Sequence, residues 1–136
     1  MRLSILLPGA IALAAMTLPA AARDRGANGE AALAKITAGR SATAPVSCIN
    51  LRDIRSSEIV EDTAIVYRMN NGMLYVNRPE GGGLLDRDDI LVTRTLSTRL
   101  CSIDIVTLVD RGSQMFSGSV ALGEFVPYSR LPGRRG

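Results

Sequence analysis

The chain has 136 residues, no histidine, two cysteines and a formal charge of +3. Without histidine, Ser-His and Cys-His catalysis, histidine-ligated zinc or copper and histidine-held haem are excluded. Sixteen basic residues against 13 acidic ones leave too small an excess for a nucleic-acid-type surface, and aromatics at 4 % offer few platforms for base stacking, so no nucleic-acid partner is expected.

Met1-Arg2, the apolar run Leu3 to Met16 and the small residues Ala20-Ala21-Ala22 read as a secretory signal peptide cleaved after Ala22. The competing reading is a membrane anchor. A span needs roughly 20 apolar residues, whereas this run is shorter and contains Pro8, so no membrane span is expected after cleavage. Removing 22 of 136 residues leaves 114, one domain's worth of chain, with a charge of +2 once Arg2 is gone. The expected location is the periplasm or the exterior. In that oxidising setting Cys48 and Cys101 favour a disulfide over two separate buried thiols. Fifteen of the sixteen basic residues are Arg, which reads first as genomic base composition and second as selection for bidentate anion contacts.

Residues 23–44 form an Ala/Gly-rich leader in which Asn28 can cap a short helix over Gly29 to Ala38. Leu33 and Ile36 share a face there, and Gly39 makes a stop. A β domain is expected over 45–128, because from Cys48 onward Val, Ile and Thr recur in short alternating runs. The expected strands are Val46–Leu51, Glu58–Val60 turning at Glu61-Asp62, a hairpin from Ile65 to Val76, Ile90–Thr95, Ile103–Val109 and Val120–Val126. In the hairpin a two-residue Asn71-Gly72 loop pairs Met69 with Leu74 and Tyr67 with Val76, so that Ile65, Tyr67, Met69, Leu74 and Val76 line one side. A three-residue loop would pair Tyr67 with Tyr75 instead. The fold class is therefore mainly β, a small antiparallel barrel or sandwich of about six or seven strands, the two being evenly matched. Gly81-Gly82-Gly83 is a loop, and residues 129–136 are expected to be a basic disordered tail.

Asp86-Arg87-Asp88-Asp89 is the densest acidic cluster, of the kind a hard cation needs. Its spacing is not that of an EF-hand: Leu91 holds the sixth position and Ser97 the twelfth. A polar turn in which Asp86 caps one helical turn and Arg87 balances charge is the favoured reading. An acid/base pair for glycoside cleavage would draw on these residues with Asp104 or Asp110. A Ser-Lys nucleophile would require Lys35, which falls in the leader. Arg52, Arg55, Arg68, Arg78, Arg94 and Arg99 fall on expected strands or their ends and could bind phosphate or an acidic glycan from one face. Asp53, Glu58, Glu61 and Asp62, interspersed among them, favour surface ion pairs instead. No metal site and no cofactor is expected.

The segments Val46 to Ser56, Leu74-Tyr75-Val76-Asn77-Arg78-Pro79, Leu100 to Asp104 and Leu122 to Tyr128 resemble a family of small exported proteins of unknown function from Gram-negative bacteria. The resemblance covers roughly 39–128. It implies that Cys48 and Cys101 belong to the family pattern and that an export signal is usual, and it implies no activity. The first functional expectation is a non-enzymatic binding or structural domain that meets a cell-envelope component or another protein through a sheet face or the loop Arg78 to Asp89. Arg78, Asp86, Arg87, Asp88, Asp89 and Asp104 are its candidate binding residues. The alternatives are a carboxylate-based or metal-assisted enzyme using Asp86, Asp88, Asp89 and Asp104, and an inhibitor of a cell-envelope hydrolase.

Overall fold

The computed structural model describes residues 20–133, with side chains from Asp24 onward. The expected signal peptide lies outside the described residues except for its last three, and so does the end of the basic tail, 134–136. Among the described residues are one α-helix, α1 (Ala20–Ile36), and ten strands: β1 (Arg40–Ala42), β2 (Cys48–Asn50), β3 (Ile54–Val60), β4 (Ala64–Met69), β5 (Leu74–Asn77), β6 (Asp89–Thr93), β7 (Arg99–Cys101), β8 (Ile105–Asp110), β9 (Phe116–Ala121) and β10 (Phe125–Arg130). They form three antiparallel sheets, of order β1-β10-β5-β4-β3, β2-β7 and β6-β8-β9. The fold is mainly β and sandwich-like, and no sheet closes into a barrel. No described helix is long and apolar enough to cross a membrane.

The large sheet is buried on both faces, which explains where the hairpin departs from expectation. The Met69 amide donates to Met73 O and the Gly72 amide to Met69 O, so the loop is the three residues Asn70-Asn71-Gly72, with Gly72 at φ 86°. Tyr67 therefore pairs with Tyr75 and Arg68 with Leu74, the register of the three-residue loop rather than the expected two-residue one. Ile65, Tyr67 and Met69 face one core, with Val106 and Leu108 of β8, Val120 of β9, Ile49, Leu100 and Phe125. Val66, Leu74 and Val76 face a second core closed by Leu33 and Ile36 of α1. A one-sided strand would leave Leu74 and Val76 stranded. The helix gives them a partner.

The helix is longer than expected and is part of the fold. It starts at Ala20 rather than at Gly29, since the Ala-rich run favours helix and carries it through Asn28-Gly29. Gly29 serves close approach: a Cβ there would lie 1.8 Å from Thr63 Oγ1 and 2.6 Å from Glu61 O, so only glycine lets α1 lie against the β3–β4 turn. The sheet also reaches beyond 45–128. β1 precedes Pro45, and β10 runs through Ser129 and Arg130, which the expected tail contained. The expected strand Val120–Val126 is two strands, broken at Leu122-Gly123-Glu124 where the chain changes sheets.

Cys48 and Cys101 form a disulfide. They stand directly opposite one another in the β2–β7 pair, 53 residues apart in sequence. Closing a loop of that length contributes roughly 4 kcal/mol in the chain-entropy picture.

Candidate functional site

The expected binding residues do not converge. Arg78, at the end of β5, makes two hydrogen bonds to the Glu30 carboxylate, with Nη2 to Oε2 at 3.0 Å, and so fastens α1 to the sheet. The bond from Arg78 holds the Glu30 carboxyl below its ordinary range. Asp86 accepts the Asp88 amide at 2.9 Å in a turn of its own making, the polar-turn reading of the cluster without the expected helical turn. Asp89 is buried on β6 and accepts the Ser117 hydroxyl at 3.0 Å. Asp104 accepts the Cys101 amide at 2.7 Å beside the disulfide, before β8. Asp89 pairs with Asp110 at the other end of that six-residue strand, so Asp104 lies roughly 20 Å away at strand rise, beyond the separation of a glycosidase pair. Asp110, the cross-strand partner of Asp89, is instead engaged by Ser113, whose side chain and amide donate to Oδ1 and pull that carboxyl below its ordinary range. Among the described residues no three His, Cys, Asp or Glu side chains gather where they could hold a metal ion.

Two of the expected residues, Arg87 and Asp89, do line one feature: a groove of about 440 Å³ between β3 and β6, with Ser57, Glu58, Ile59, Ile90, Leu91 and Arg111. Glu58, Ile59 and Arg87 also line a second recess of about 260 Å³, whose other wall is α1 through Arg25, Asn28, Gly29, Ala32 and Ile36. β3 thus runs between two adjoining hollows.

β3 and β6 are each the edge of their sheet, and no backbone hydrogen bond joins them. Which amides are free follows from the ladders. Because Met69 bonds to Met73, the odd-numbered residues of β4 bond to β5 and the even-numbered ones to β3. Ser56, Glu58 and Val60 are then the bonded partners in β3, and the amide groups of Ser57 and Ile59 point outward. In β6, Arg111 N donates to Asp88 O, so Ile90 and Val92 bond to β8 while Leu91 points its N–H and C=O away. Two rows of unsatisfied backbone groups therefore border one groove.

Its lining sets Arg87, Arg111, Glu58 and Asp89 beside the apolar Ile59, Ile90 and Leu91. Ile59 and Leu91 are half-buried against the inter-sheet core. Glu58 is held by Arg68 at 3.0 Å, and Arg87 only loosely by Glu61 at 3.8 Å. Arg25 and Arg111 have no ion-pair partner among the described residues. Sequence reading missed Ser57, Ile59, Leu91, Arg25 and Arg111. One signal was present: Arg55-Ser56-Ser57-Glu58 is a polar run without alternation, as edge strands often are.

No family model matches the chain, and neither the curated proteins nor the solved structures contain a match.

Proposed function

We propose that the protein is an exported, non-enzymatic binding domain that takes an extended segment of a protein partner along the outer edge of β3, in the groove shared with β6. The observation that carries this is the pair of edge strands with outward amide groups bordering one open groove. An added strand satisfies those groups by main-chain hydrogen bonds, and pockets for alternate side chains give selectivity. Alternate residues of the segment would meet the half-buried Ile59 and Leu91. Arg87 and Arg111 in the groove lining favour a segment bearing acidic residues. The Cys48–Cys101 bond supports an oxidising compartment, as the expected export signal does.

The test is capture of partners from a periplasmic extract by the oxidised protein and by Ser57→Pro, which removes an outward N–H and leaves the β3–β4 ladder donors in place. A partner bound by the wild-type protein and lost from a folded Ser57→Pro is the expected result. Hydrogen exchange on the wild-type complex is the second readout, with protection expected at Ser57 and Ile59. Retention by folded Ser57→Pro, or protection confined to other strands, refutes the groove.

A further inference from the structure

The same sheet carries a second feature, away from the groove. Arg40 of β1 and Arg130 of β10 are directly opposite in the antiparallel register. The flanking bonds, Thr43 N to Pro127 O and Leu131 N to Gly39 O, make this a non-hydrogen-bonded pair, the kind in which cross-strand side chains lie closest. Like charges so placed are destabilising. Arg68 of β4 belongs to the same face, through the row Arg68, Leu74, Tyr128 and Ala42 across β4, β5, β10 and β1. Beside Arg130 opens a recess of about 380 Å³ that it lines with Asn70, Asn71, Gly72 and Met73, the turn to which Arg40 is bonded.

Arg40 is fixed in position. Its Nη1 donates to Gly72 O at 2.8 Å and to Tyr128 O at 3.4 Å, which ties β1 to the β4–β5 turn and leaves its remaining N–H groups unused. Burial, and then the nearby Arg130 and Arg68, make the Arg40 guanidinium easier to deprotonate than an ordinary one, so the three charges act on one another. Among the described residues Glu58 is the one carboxylate bonded to any of the three, and it belongs to Arg68. Arg130 is exposed and has no ion-pair partner among the described residues. The C-terminus of α1 would favour one nearby cation, but Lys35 already stands in its last turn. A facing arginine pair with no counter-charge among the described residues is a ready seat for an anion.

We infer that Arg40 and Arg130 form a binding site for the phosphate group of a phosphorylated ligand. Guanidinium groups bind phosphate oxygens through charge-assisted, often bidentate hydrogen bonds, and two facing arginines can share one tetrahedral dianion. The bound anion turns the repulsion between them into mutual attraction to a common partner.

The experiment is titration of the full oxidised protein with inorganic phosphate at low ionic strength, followed by amide chemical shifts, for the wild type, Arg130→Gln and Arg94→Gln. Saturable binding in the millimolar range is expected, with the largest shifts at Arg40, Gly72 and Arg130. Arg130→Gln should weaken it about ten-fold or more, and Arg94→Gln should leave it unchanged. Arg130→Gln should melt no lower than the wild type without phosphate, because it relieves a like-charge pair. Co-sedimentation with phosphatidylglycerol vesicles against phosphatidylcholine vesicles identifies the source of the phosphate. Retention that depends on Arg130 means a lipid headgroup, and phosphate binding without retention means a soluble phosphorylated ligand. Absence of saturable binding, or equal weakening by Arg130→Gln and Arg94→Gln, overturns the site.

Discussion

Asn77 offers the sharpest test of how the five-stranded sheet is joined to the β6-β8-β9 sheet. It is fully buried at the end of β5, and its side chain makes both bonds of a backbone-like pair with Gly123 at the β9–β10 corner: Nδ2 donates to Gly123 O at 2.7 Å and Gly123 N donates to Oδ1 at 2.9 Å. The corner has no slack, since a Cβ on Gly123 would lie 2.7 Å from Arg78 O. Asn77→Ala removes both bonds and leaves the amide and carbonyl of a half-buried Gly123 facing a small void. Each group left unpaired costs about 1–3 kcal/mol, and the half-exposure of Gly123 favours the lower end, so a loss of roughly 2–4 kcal/mol is expected. For a domain of this size that is a fall in Tm of roughly 8–16 °C. Urea unfolding with the disulfide intact measures it, provided two spectroscopic probes give coincident transitions. Asn77→Asp keeps an acceptor for the Gly123 amide but sets a carboxylate against the Gly123 carbonyl, and should be at least as damaging. A change within about 0.5 kcal/mol for Asn77→Ala would refute the view that this side chain holds the corner.

Tyr67 predicts the opposite sign. Its hydroxyl is buried with no hydrogen-bond partner, burial pushes its ionisation far above the ordinary range, and the ring sits 5.8 Å from Phe125 in an edge-on packing. Tyr67→Phe keeps the packing and removes the unpaired group, so it should stabilise by roughly 1 kcal/mol in the same urea assay; a destabilised variant would reveal a bond to that hydroxyl. Glu30 predicts a pH dependence. Its carboxyl is held by Arg78 below the ordinary value of 4.5, so the folded state binds fewer protons than the unfolded chain there, and the contribution is present above 4.5 and fades as pH falls through the folded value. Melting curves from pH 6 down to pH 3 should therefore fall less steeply for Glu30→Gln than for the wild type, and parallel curves would show that the ion pair contributes nothing.

Local chemistry set what the sequence alone could determine. The β class, the turn at Glu61-Asp62, the presence of the Ile65–Val76 hairpin and the pairing of the only two cysteines follow from residue type and short spacing. Leu33 and Ile36 were also legible as one helix face, because i and i+3 must share a side. What needed tertiary structure is whatever depends on which surfaces meet. The hairpin register turned on the second core beneath α1: with a partner on each face of β4, the test that one face must be apolar no longer discriminates between a two-residue and a three-residue loop. Only the closeness of Thr63 shows why Gly29 stands inside a helix, and the break at Gly123 depends on Asn77, 46 residues earlier. The candidate groove is of the same kind. β3 and β6 lie in different sheets, and their shared opening is created by the packing of those sheets rather than by any motif in either strand. Arg40 and Arg130 become neighbours only because β1 and β10 pair, bringing together two charges 90 residues apart that no local pattern relates.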